Sequence, residues 1–91
     1  MTVNHDPEQF RFVVALADGD AQLFYAPFGD DMLDLQHTEV PSSGQGQAVG
    51  DALVRAALAY AREHKLRVIA TCPYVQVWLR RHPDERPGTT T

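Results

Sequence analysis

The stretch SSGQGQAVGDALVRAALAYAREH, residues 42–64, decides the fold. Gly44, Gly46 and Gly50 fall in or beside a short polar run, and a helical pattern follows without a break. From Gln47 onward Val49, Leu53, Ala56 or Ala57, Tyr60 and His64 recur on one stripe. Asp51, Arg55, Arg62 and Glu63 fall largely off it, which is the spacing of an amphipathic helix. Alanine-rich filling suits close packing of that helix against a sheet. The start of a helix presents backbone N–H groups that have no intrahelical partner, and its dipole favours an anion there. Glycine lets a backbone approach a ligand closely and adopt positive φ. No Gly-Lys-Ser/Thr follows, so the run is not a P-loop, and the Gly-x-Gly-x-x-Gly spacing is not met either. Taken alone, such a run reads first as a linker and cap, and second as an anion site.

Before this junction the period is two. FRFVVALADG, residues 10–19, alternates Phe10, Phe12 and Val14, then Leu16; Asp18-Gly19-Asp20 signals a turn; AQLFYAP resumes the apolar pattern. This predicts a hairpin. After a second turn at FGDD, MLDLQHTEV predicts a third strand, ended by Pro41, which cannot donate to a sheet ladder. Strict alternation puts Leu33, Leu35, His37 and Glu39 on one face, and Met32, Asp34, Gln36, Thr38 and Val40 on the other. After the helix, LRVIATCP is a short apolar run that fits a buried strand. Pro73 then opens YVQVWLRRH as a short helix. The polar residues 1–9 read as a frayed start and residues 85–91 as a flexible tail. The expected order is β-β-β-α-β-α: an α+β domain, residues 10–84, with a mixed and mostly antiparallel sheet.

Composition sets the outer limits. With 91 residues the chain has room for one core. It is 44% apolar and 22% charged with a formal net charge of −4, the profile of a soluble globular domain without a basic stripe for nucleic acid. A single cysteine, Cys72, excludes an internal disulfide and argues for a reducing, intracellular setting. No apolar run approaches the ~18 residues of a membrane span, and MTVNHDPEQF lacks the apolar core of a signal peptide. A cytoplasmic location, without nucleic-acid or membrane partners, is the expectation. A monomer or weak homodimer is expected.

The order HTEV, polar loop, QGQAVGDALV resembles the GNAT acetyltransferase superfamily. Its signature, Gln/Arg-x-x-Gly-x-Gly/Ala, falls here on residues 45–50, with Ala48 in place of the first glycine. HTEVP, the glycine loop, CPYV and HPD, in that order and spacing, look like the short single-domain branch (YjdJ-type N-acetyltransferase domains), from about Phe10 to Asp84. The resemblance implies a compact GNAT-like fold and acetyl-coenzyme A (acetyl-CoA) as donor. It implies pyrophosphate contacts from the backbone of Gln45, Gly46, Gln47, Ala48, Val49 and Gly50. It also implies that the strand end at Glu39-Val40 pairs its backbone with the pantetheine arm.

Acetyl transfer to an amine requires a held donor, a neutral amine and a stabilised leaving thiolate. His37 and Glu39 are the local candidates for deprotonation; the alternative is a hydrogen-bonded strand histidine and a solvated carboxylate. With His5, His64 and His82 scattered, no third ligand is spaced for a metal. Cys72 stands before Pro73 at a helix start, which favours thiolate. The resemblance places it by the reactive end of the donor, as nucleophile or as a wall that positions the thioester. Simple packing is the alternative. Tyr74 could protonate the leaving thiolate or cap the sheet. His82 reads as a helix C-terminal residue, Trp78 and Leu79 as packing, and Tyr60 as core. Two functions remain in view: an N-acetyltransferase acting on an amine of unknown identity, or a non-catalytic module that binds or senses acyl-CoA. Net acidity favours cationic amines.

Overall fold

The computed structural model describes residues 1–45 and 48–85. Its strands are β1 (Asn4–Asp6), β2 (Arg11–Leu16), β3 (Gly19–Phe28), β4 (Met32–Glu39) and β5 (Arg67–Ala70); its helices are α1 (Val49–Glu63) and α2 (Pro73–Arg81). The strands form one sheet in the order β1-β2-β3-β4-β5. All neighbours are antiparallel except β4 and β5, which α1 connects in parallel. The compact α+β architecture is the expected one, with one strand added.

That addition is a difference from the sequence reading. Residues 4–6 lie inside the segment expected to fray, yet they pair with residues 11–13 of β2. A polar strand carries no apolar alternation, so sequence pattern does not reveal it. What holds it is the side chain of His5. Its ring stacks on Phe12 with centroids 4.4 Å apart, meets Tyr60 edge-on at 4.5 Å, and hydrogen-bonds the Tyr25 hydroxyl through Nε2. Of the tail, Glu85 is held against α1: its carboxylate pairs with Arg55 and its carbonyl accepts from Arg62 Nη2. Residues 86–91, the rest of the expected tail, lie outside the described residues.

Burial of His5 lowers its pKa; the Asp6 charge raises it and the His64 charge lowers it again. A histidine depressed in this way binds protons less readily folded than unfolded. Stability is therefore complete above the unfolded value of ~6.5 and declines as pH falls through it toward the folded value. Denaturant unfolding from pH 8 to pH 5 is expected to show such a decline, and His5→Gln to shrink it. An unchanged slope in the variant would show that His5 is not the source of the decline.

The core lies between one sheet face and the two helices. Phe12 and Val14 of β2, Ala21, Leu23 and Tyr25 of β3, and Leu33 and Leu35 of β4 face it. Val49, Leu53, Val54, Ala57, Leu58 and Ala61 meet them from α1, and Val75, Trp78 and Leu79 from α2. Tyr60 is only partly buried, because it reaches the His5 end of the cluster.

One irregularity positions everything that follows. Phe24 of β3 pairs with His37, but Tyr25 pairs with Leu35, so Gln36 is an extra residue on β4. Residues directly opposite in an antiparallel pair share a face, and a bulge shifts all later residues of its strand to the other side. Leu35 shares a face with buried Tyr25, and Thr38 with buried Leu23. Thr38 therefore follows Leu33 and Leu35 onto the helix side, and His37 turns to the open side with Phe24. The single face drawn from strict alternation, Leu33-Leu35-His37-Glu39, is corrected: the bulge at Gln36 divides it.

Candidate active site

Beyond the bulge β4 loses one neighbour. Its pairing with β5 runs from Met32–Arg67 to Leu35–Ala70 and stops. The chain of β5 then bends away, with Thr71 and Cys72 both donating their N–H groups to the Leu35 carbonyl. β4 continues to Glu39 against β3 alone. The two parallel strands thus open into a fork, and residues 36–39 keep an outer edge without a strand partner among the described residues.

At the mouth of the fork lies a cleft of about 360 Å³. Thr38 and Val40 line it from β4 and the turn after it, Gly44 and Gln45 from the loop, Ala48 and Gly50 from the start of α1, and Tyr74 from α2. The loop between β4 and α1 is tied down: Asp18 accepts from Ser43 N–H at 3.2 Å and also pairs with its hydroxyl, and Gln45 Nε2 donates to the Val40 carbonyl at 3.2 Å. Those Ser43 bonds hold the Asp18 carboxyl below its ordinary pKa. Gly44 is buried, and a Cβ there would fall 2.6 Å from Leu16 Cδ1 and 3.0 Å from Val40 Cγ1, so the position takes glycine.

The helix start has the features of an anion site. Ala48 occupies the N-cap with φ 60° and ψ 23°, and among the described residues no side chain caps α1. Its carbonyl accepts the first helical bond, from Ala52 N–H at 3.0 Å. Side chains in this left-handed region cost about 1–2 kcal/mol, which is why glycine is the usual occupant. Asp51, the acidic residue of the first turn, is turned away: Oδ1 accepts from Trp78 Nε1 at 2.8 Å and Oδ2 from Arg55 Nε at 2.9 Å. Burial raises the Asp51 pKa, but these bonds and the Arg55 and His82 charges outweigh it and bring it down. Gly50 lies beneath Tyr74, where a Cβ would stand 2.5 Å from the phenol oxygen.

The candidates from sequence divide between two sides of the fork. Val40, Gln45, Ala48 and Gly50 line the cleft, whereas Val49 is 1% exposed and serves the core. Gly46 and Gln47 lie outside the described residues. Cys72 is buried as the residue preceding α2, with Sγ 3.4 Å from Thr38 Oγ1. Tyr74 is 45% exposed over the cleft. Burial, reinforced by the Asp51 and Cys72 charges, raises its pKa, so the phenol keeps its proton. His37 and Glu39 form the expected pair, Nε2 to Oε2 at 3.1 Å, but exposed and on the sheet face opposite Thr38. Sequence reasoning missed Thr38, which strict alternation assigned away from Leu35, and Asp18, which is 25 residues from the loop that it holds. Among the described residues no three His, Cys, Asp or Glu side chains gather as a metal set, and no helix is long and apolar enough to cross a membrane.

Comparison with known proteins agrees with this architecture. A family model described as GCN5-related N-acetyltransferase matches residues 11–87. Protein NATD1 of Bos taurus is 37% identical over 83 residues, covering 89% of this chain and 74% of that protein. Protein NATD1 of Homo sapiens is 36% identical over the same length and coverage. The NMR structure of a GCN5-like candidate N-acetyltransferase from Staphylococcus aureus superposes with a TM-score of 0.74 at 21% identity, covering 99% of this chain and 87% of that one. The strand fork, the loop-to-helix junction and a family match spanning most of the sequence lead to one assignment: the chain belongs to the GCN5-related N-acetyltransferase family.

Proposed function

We propose that the chain is an acetyl-CoA-dependent N-acetyltransferase acting on an amine. The observation that carries this reading is the edge of residues 36–39, without a strand partner among the described residues, at the same cleft as the start of α1 with Gly50 in its first turn. An extended polar arm can pair with such an edge by main-chain hydrogen bonds, as an added strand does. A pyrophosphate can accept from the N–H groups at the start of α1, where the Asp51 carboxylate is occupied elsewhere. The residues present therefore fit the group. Val40, Gln45, Ala48 and Gly50 would hold it, with Gly46 and Gln47 assigned to the same loop by sequence alone. When bound, acetyl-CoA supplies an acetyl group activated as a thioester.

The remaining roles belong to the chain. Thr38 lines the cleft, and the buried Cys72 stands behind it with Sγ 3.4 Å from Thr38 Oγ1, where the pair would back the thioester. Tyr74 holds a proton on its phenol oxygen beside the helix start. His37 approaches from the other side of the fork. With Nε2 engaged by Glu39, Nδ1 is the nitrogen that accepts a proton from an incoming amine. The placement of His37 opposite the cleft also favours a second reading, a module that binds acyl-CoA without turning it over.

Thermal melting with and without acetyl-CoA tests the binding. At a hundredfold excess over its dissociation constant a ligand stabilises by about 2.7 kcal/mol. In a domain of this size that raises Tm by roughly 10 °C or more. No shift at millimolar acetyl-CoA would overturn both readings. A shift without amine-dependent release of the free thiol, across a panel of amines, would leave only the sensing module.

A further inference from the structure

The roles assigned above leave one buried carboxylate without a task. Asp34 is 8% exposed, the only buried charged residue among the described residues. It stands one residue before the last β4–β5 pair, on the open side of the sheet, opposite Ala26 and Ile69. Oδ1 accepts from Thr71 N–H at 3.2 Å and from Thr71 Oγ1 at 3.0 Å, and Oδ2 accepts from Gln36 Nε2 at 3.3 Å. Thr71 is the first residue after β5, and Gln36 is the bulge residue of β4. One carboxylate thus grips both prongs of the fork at the point where they part.

We propose that Asp34 is a positioning residue whose bonds to Thr71 and Gln36 fix the opening of the fork, and with it the seat of Cys72 against Thr38. The consequence follows from connectivity. Cys72 is the next residue after Thr71, and Thr38 comes two residues after Gln36, so a rigid clasp on one face sets the Sγ–Oγ1 contact on the other. A buried carboxylate held by neutral donors loses hydration that its hydrogen bonds must offset, so it is a poor source of net stability. Its presence here is explained by geometry rather than by stability. The inference rests on the acetyltransferase reading only for its meaning: the clasp would hold the wall of the thioester site.

The test uses the sole cysteine as its probe and needs no donor. The rate of Cys72 alkylation by iodoacetamide is followed against pH in the wild type, Asp34→Asn and Asp34→Leu, each checked for folding by circular dichroism. Asparagine keeps an oxygen that can accept from Thr71, and its alkylation is expected to stay within about threefold of the wild type. Leucine removes the clasp, frees the Thr71–Cys72 turn and is expected to raise the rate at least tenfold in the folded protein. If Asp34→Leu does not fold, Thr71→Val, which removes one of the three bonds, decides by a rise of about threefold. A folded leucine variant with a wild-type rate, an asparagine variant that matches leucine, or no rise in Thr71→Val where that variant decides, overturns the proposal. Because alkylation is independent of turnover, a wild type that acetylates nothing would sink the enzymatic reading and leave this result standing.

Discussion

Trp78→Ala is expected to cost about 3–5 kcal/mol, the range for removing a large buried aromatic side chain. Trp78 is 5% exposed, and it is the fastening between the helices. Its Nε1 donates to Asp51 of α1 at 2.8 Å, its ring stacks on His82 at 4.0 Å and 15°, and the Arg55 guanidinium lies 5.2 Å from its centroid. Alanine leaves a cavity and also strips Asp51 of one of its two partners. A domain of this length has roughly 5–14 kcal/mol of stability in all, so the loss amounts to about a fifth of it or more. At about 4–8 °C per kcal/mol, Tm should fall by at least ~12 °C. Trp78→Phe separates the contributions: the ring stays, the N–H goes, and about 1–2 kcal/mol is lost. Circular dichroism is the readout, since the variants lack the only tryptophan. A Trp78→Ala cost below about 1 kcal/mol would mean that α2 is held by Val75 and Leu79 alone. Since α2 begins at Pro73, directly after Cys72, loosening it would also unseat Cys72 and Tyr74.

The elements of the fold were readable because the hydrophobic period switches from two to 3.6 at Gln47, and because Asp18-Gly19, Pro41 and Pro73 punctuate the chain where the backbone turns. The sheet face presented by the end of β4 was not readable. A bulge arises from how two strands fit across the sheet, and Gln36 has nothing in its chemistry that announces one. The error carried directly into the site, since it put His37 with Leu35 and sent Thr38 to the other side. The loop residues fared differently. Gln45, Ala48 and Gly50 contribute backbone at a helix start, and a helix start is written locally in the sequence. Contacts made over long separations, Asp18 to Ser43 and Trp78 to Asp51, depend on the finished fold. So does the seat of His5, which turns a polar segment into a strand.

Gly50→Ala is expected to weaken acetyl-CoA binding by about a hundredfold while the fold is retained, and the reason lies in Tyr74 rather than in the helix. Within α1 an alanine is the better helix former by about 1 kcal/mol, so local propensity favours the variant. Against that, the new Cβ would stand 2.5 Å from the Tyr74 phenol oxygen and 2.9 Å from Cζ. The ring is the movable partner: it is 45% exposed on one side and has the cleft on the other. Displaced inward, it would occupy the space between Val40 and Ala48 that the donor needs. A hundredfold loss corresponds to ~2.7 kcal/mol, about the whole of the melting shift expected for the wild type at a hundredfold excess. The double variant Gly50→Ala with Tyr74→Ala distinguishes this from direct crowding of the ligand by the methyl group. If the ring is the obstacle, removing it restores binding to near the level of Tyr74→Ala alone, a coupling that calorimetric titration of the four proteins reads directly. If the methyl itself meets the pyrophosphate, the double variant binds no better than Gly50→Ala. Wild-type affinity in Gly50→Ala would show that the donor does not lie over the start of α1, and the proposed cofactor site would fall with it.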